Sequence, residues 1–100
     1  MQQIAEMGVL SCAMLAEVME AVSNKDDALA RHAAESDSQM DDLDREAVSS
    51  LMMTLISQPD ASMHNTHLLW IAYHLERVGD RVTNIAERVV FMVTNDTPDL

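Results

Sequence analysis

The chain has 100 residues, with 17 acidic against 6 basic side chains, a formal charge of −11 at pH 7, 48% hydrophobic residues and a single Cys. A chain of this length supports one domain that buries roughly 60–70% of its unfolded surface, and a lone Cys12 excludes a disulfide-stapled scaffold. The carboxylate excess excludes nucleic acid as a partner, because such binding is driven by Lys and Arg displacing counterions from phosphates; cations or basic surfaces suit it better.

No segment reaches the 18 or so apolar residues of a membrane span. The chain start lacks the basic region of a signal peptide, since Met1, Gln2, Gln3 and Ile4 lead straight to Glu6. With one thiol, these features predict a cytoplasmic protein that does not span the membrane. Two Gly and two Pro leave few turns, while Ala, Leu, Met and Glu favour helix.

Polar breaks at Asn24-Lys25-Asp26, Gln58-Pro59-Asp60 and Asn95-Asp96-Thr97-Pro98 predict three helices, about 3–23, about 26–57 and about 61–94. In the first, Ile4, Met7, Ser11, Met14, Leu15, Val18 and Val22 form an apolar stripe. In the second, Leu29, Ala33, Met40, Leu43, Ala47, Leu51 and Leu55 do so. The third has the cleanest three- and four-residue periodicity, with Leu68, Ile71, Ala72, Leu75, Val78, Gly79, Val82, Ile85, Ala86, Val89, Val90 and Val93. Each helix must bury one face. Short turns make consecutive helices antiparallel, so the expected fold is all-α, an up-down-up three-helix bundle forming a single domain over 1–100.

Acidic residues flank these stripes at matching places. At about 100° per residue, Glu76, Asp80, Thr83 and Glu87 fall in one row on the third helix, beside its apolar stripe. On the second helix Asp37 and Asp41 occupy the corresponding flank. Both couples lie about 19 residues, or about 29 Å, from the hairpin turn near Gln58, so folding predicts that they converge. Two like charges about 5 Å apart at an effective dielectric near 20 repel by roughly 3 kcal/mol. Protonation, neighbouring arginines or a bound cation would relieve this. Arg77, Arg81 and Arg88 project across the solvent side of the third helix, which favours the cation. An all-oxygen set suits Mg²⁺, Ca²⁺, Mn²⁺ or ferric iron better than structural zinc. Acids at i, i+4 are equally what a solvated helix face carries, so a metal-free helical interaction module stays open as the alternative.

The run His74-Leu75-Glu76-Arg77-Val78-Gly79-Asp80-Arg81-Val82-Thr83-Asn84-Ile85-Ala86-Glu87-Arg88-Val89 resembles the C-terminal helix signature of the PhoU family of phosphate-uptake regulators. Upstream, Asp37-Ser38-Gln39-Met40-Asp41-Asp42-Leu43 is similar to the family's other acidic motif. The resemblance is strongest over 68–93, moderate over 26–57 and faint before that. It implies a three-helix repeat whose E/D-x-x-x-D motifs bind metal, here Asp37 with Asp41 and Glu76 with Asp80, with iron, magnesium or manganese as the expected ion. Asn84 and Glu87 belong to the same signature and rank lower as ligands.

The resemblance further implies a signalling adaptor, not a catalyst. Such proteins couple the ATPase of the phosphate ABC transporter to a sensor histidine kinase and restrain the phosphate-starvation response. The usual member carries two repeats in tandem; this chain matches one, most like the C-terminal one. It is expected to pair with a second repeat or to form a homodimer.

Other constellations point elsewhere only weakly. His74 lies on the opposite flank from the acidic row and lacks the Pro that typically follows a phosphoacceptor His. His32 is on the far flank of its helix, and His64 and His67 are expected at the surface. A di-iron carboxylate enzyme would need Glu-x-x-His pairs, and no Glu has His three residues on. Cys12 has no nearby His partner and reads as a small core residue. Gly8 and Gly79 sit alone inside helices, Gly79 at a close helix contact. Met7, Met14, Met40, Met52 and Met53 read as core. Trp70 and Tyr73 project away from the third stripe and form a candidate contact patch.

Overall fold

A computed structural model describes residues 2–100. It is an all-α, up-down-up bundle, with no strand among the described residues. The helices are α1 (Gln2–Asn24), α2 (Asp27–Glu35), α3 (Asp37–Ser57) and α4 (Ser62–Thr94), with a 3₁₀ turn at Pro59–Ala61 before α4. α2 and α3 together form the middle leg. The bundle is a rod of 53 × 20 × 16 Å, its length set by the 33 residues of α4. α4 packs against every other helix.

Local chemistry explains where the chain turns. After α1, the Asp26 N–H donates to the Ala21 carbonyl (3.0 Å) and the Lys25 N–H to that of Val22 (3.4 Å), which closes the helix end with Lys25 left-handed at φ 52°. Asp26 then starts α2, its carboxylate accepting from the Leu29 N–H at 3.1 Å. At the second break the Gln58 N–H donates to Thr54 (2.8 Å), and Pro59 opens the 3₁₀ turn, where its missing N–H costs nothing. Asn95, left-handed at φ 65°, ends α4.

The expected second helix is interrupted at Ser36. Its N–H is shared between the Ala33 and Ala34 carbonyls, and Ser38 Oγ donates to the Glu35 carbonyl at 3.2 Å. Ser36 itself stays right-handed at φ −69°, ψ −12°, so the leg bends without reversing. Neighbouring serines offer the backbone alternative partners and break the regular ladder.

The core follows the stripes in part. Met7, Met14, Val18, Met40, Val82 and Val90 are fully buried, and alanines of α2 and α4 let the backbones approach. Ser11 is buried among them and donates to the Met7 carbonyl at 2.7 Å. Several expected core residues are exposed instead: Leu15, Met52, Met53, Ile71, Val93 and Cys12. Each helix has neighbours on one side only in a three-helix rod, so residues at the margin of a stripe stay in solvent.

Candidate metal centre

α3 and α4 meet along a seam with methionine and valine inside and carboxylates at its edge. Asp37 is the first residue of α3, and Asp41 lies one turn on. Across the seam, Gly79 of α4 is buried, and the Asp37 carboxylate lies against it. A Cβ added at Gly79 would come within 2.8 Å of Asp37 Oδ1 and 3.4 Å of Met40 Cγ. The close contact expected at Gly79 is thus with Asp37, and only a residue without a side chain leaves the carboxylate room there.

Asp37 Oδ1 is buried and accepts no hydrogen bond. An orphaned anionic oxygen is costly, because it has shed water without gaining a donor. Burial, and then the charges of Asp41 and Asp80, push the Asp37 carboxyl above its ordinary value. Glu76 is raised by burial and then by the charges of Asp80, Asp44, Asp41 and Asp37. Asp37 and Glu76 thus each feel carboxylates of the opposite helix, and both are half-buried, whereas Asp41 and Asp80 are exposed.

Asp44 is a fifth member that the search for i, i+4 couples missed. It is half-buried, and burial and then Asp41 raise its pKa. Residues 37, 41 and 44 share one helical face at steps of four and three, the signal that would have found it.

No basic side chain compensates this row: the ion pairs among the described residues are Arg31 with Asp27 (3.8 Å), Arg45 with Asp42 (3.2 Å) and His32 with Glu17. A hollow of about 200 Å³ lies beside Asp80, lined by Arg77, Arg81 and Asn84. Glu87 continues the row into a second hollow, lined also by Asn84, Arg88, Phe91 and Pro98. His64 and His67 are exposed, as expected, and so is His74. His32 contacts Glu17 on α1, and that hydrogen bond, with the carboxylate's charge, raises its pKa.

The oxygen-only donor set and the orphaned Asp37 Oδ1 fit a hard cation. In the rotamers present, no three His, Cys, Asp or Glu side chains among the described residues are gathered tightly enough to enclose an ion. The helices deliver the carboxylates to one seam, and side-chain rotation would have to complete a coordination shell.

Comparison with known proteins converges on one family. The PhoU domain model matches residues 4–89. The phosphate-specific transport system accessory protein PhoU homolog of Streptococcus pneumoniae is 35% identical over 100 residues, covering 99% of this chain and 46% of the relative. The homolog from Zymomonas mobilis is 35% identical over 88 residues, covering 88% of this chain and 37% of its own length. In three dimensions the chain is similar to the crystal structure of the phosphate transport system regulatory protein PhoU from Streptococcus pneumoniae, with a TM-score of 0.89, 31% identity, and coverage of 100% of this chain and 48% of that one. The chain thus spans about half the length of these relatives or less. With most of its length matched by the domain model and its whole bundle superposable on a solved member, this chain belongs to the PhoU domain family.

Proposed function

We propose that the chain is a metal-binding regulatory adaptor of phosphate uptake, holding its ion through Asp37, Asp41, Glu76 and Asp80. The relatives are named as accessory and regulatory proteins of phosphate transport, which supports an adaptor rather than an enzyme. One observation carries the metal reading: Asp37 of α3 and Glu76 of α4 are pushed above their ordinary values, by burial first and then by carboxylates that include ones on the opposite helix, at a seam where Asp37 Oδ1 has no partner. A bound iron, magnesium or manganese ion would supply the positive charge that cancels this repulsion. Asp37 and Asp41 would then hold α3 in register with Glu76 and Asp80 of α4, and Asp44 would stand close enough to assist.

In this reading the fixed α3–α4 surface is what the protein offers to the phosphate transporter's ATPase and to a sensor histidine kinase in the cytoplasm, restraining the phosphate-starvation response. A second repeat, or a second copy as a homodimer, would restore the length of the relatives. Elemental analysis of protein purified without an affinity-metal step tests the site. Metal bound to the parent and lost in Asp41→Asn/Asp80→Asn is the expected result; equal metal content in both removes the site.

A second reading is supported by the loose rotamers of the acidic row, which enclose no ion as they stand. A metal-free interaction module would keep its melting temperature in the presence of a chelator, whereas the adaptor with a filled site would lose stability.

A further inference from the structure

The face of α4 opposite its buried stripe is chemically unlike the rest of this acidic molecule. Residues 70, 73, 77, 81 and 88 fall within about 60° of one direction at 100° per residue. They are Trp70, Tyr73, Arg77, Arg81 and Arg88, all exposed, with Trp70 57% and Tyr73 45% accessible. The chain has six Lys and Arg in all, so half its positive charge lies on this face. None of the three arginines makes an ion pair among the described residues, whereas Arg31 and Arg45 do.

The face is also partly organised in advance. Trp70 and Tyr73 meet edge to face with ring centroids 5.8 Å apart. Arg77 lies over the Tyr73 ring, 5.6 Å from its centroid, and donates to the Tyr73 hydroxyl at 2.9 Å. A guanidinium held in this way loses less freedom on binding a carboxylate, and Trp, Tyr and Arg are the side chains that most often dominate interfaces.

We propose that this outward face of α4 is a docking surface for a short acidic segment of a partner protein, with carboxylates meeting Arg77, Arg81 and Arg88 and an apolar side chain meeting Trp70. Charge complementarity selects the occupant. A symmetric contact between two copies would set arginine against arginine, since a two-fold interface opposes a patch to itself. Nucleic acid would bring a long array of phosphates against a net charge of −11. A short segment carries few charges to be repelled, and it meets arginines whose near acidic neighbours are Asp80, beside Arg77 and Arg81, and Glu87, beside Arg88. The proposal depends on neither the carboxylate site nor the adaptor reading.

Trp70 is the only tryptophan, so its emission reports on this face directly. The whole chain is titrated with a short, Trp-free peptide of Glu, Asp, Leu and Phe. The proposal expects a saturable emission change, with affinity falling about tenfold in Arg77→Gln/Arg81→Gln/Arg88→Gln and weakening with added salt. Far-UV circular dichroism checks that the triple variant is folded, and Arg81→Gln alone, expected to weaken binding about threefold, gives the same test with the least disturbance. Elemental analysis of the parent reads the carboxylate site separately, so an empty site and a failure to bind the peptide are distinguishable outcomes. No saturable change, equal affinity in the folded arginine variants, tighter binding of a single-stranded oligonucleotide, or self-association of the parent that the triple variant abolishes would overturn the proposal.

Discussion

The two flanks of α4 solve opposite problems. Toward α1, the seam is apolar: Met7, Met14 and Val18 are fully buried, and the Ser11 hydroxyl accompanies them with carbonyl acceptors at Met7 and Leu75, at 2.7 and 3.5 Å. Toward α3, the seam is charged and unsatisfied, with raised carboxyl pKa values and an oxygen of Asp37 that accepts from nothing. Packing on the first flank can support the cost on the second. A fold that keeps such a defect has placed it where a ligand could repay it, since buried unpartnered charge otherwise lowers stability.

Breaking the apolar flank should have the largest effect. Met14→Ala removes a side chain that is 1% exposed and leaves a cavity between helices, so urea denaturation should show a loss of about 2–5 kcal/mol. A loss below about 1 kcal/mol would mean that the site collapses freely and that this flank does not carry the fold.

Gly79→Ala separates stability from the acidic seam. The added methyl raises helix propensity by roughly 0.5–1 kcal/mol, and its 2.8 Å approach to Asp37 Oδ1 is relieved by turning the short carboxylate out of the seam. The ion-free protein should therefore melt no lower than the parent, while its affinity for Mn²⁺ falls. A lower melting temperature with unchanged Mn²⁺ binding would show that Gly79 serves packing alone.

The smallest effect is one of sign. Asp37, Asp44 and Glu76 have pKa values above their ordinary 3.8, 3.8 and 4.5. Between the ordinary and the raised values the native state holds protons that the unfolded chain has released. These groups therefore favour the fold below the ordinary values, and that contribution is lost as pH rises through the raised ones. As pH falls toward the ordinary values, the ion-free parent should gain more in melting temperature than Asp37→Asn does, since the His32–Glu17 pair contributes alike to both. A parent whose melting temperature falls on the same acidification would contradict the strain assigned to the seam.

Much of the fold was legible because helical periodicity needs only one buried face per helix. The stripes found Met7, Met14, Met40 and Val82, and the polar breaks found both turns. The interruption at Ser36 was not legible, since neither Gly nor Pro marks it and the cause is a shared hydrogen bond. Met52 and Met53 were misplaced because periodicity states which residues share a stripe, not how far the neighbouring helix covers it. In the site, the shared side and height of the two acid couples followed from equal distances to the turn. Asp44 escaped by lying three residues from Asp41 instead of four, and rotamers under mutual repulsion are beyond any spacing argument.

The central claim is that the α3–α4 carboxylates form a cation site, and anomalous diffraction from crystals of the chain grown with Mn²⁺ tests it most directly. The account predicts a Mn²⁺ peak in this seam with oxygen ligands from both helices, among them Asp37 or Asp41 and Glu76 or Asp80. Mn²⁺ bound only elsewhere, or a well-ordered seam with no peak, would contradict it.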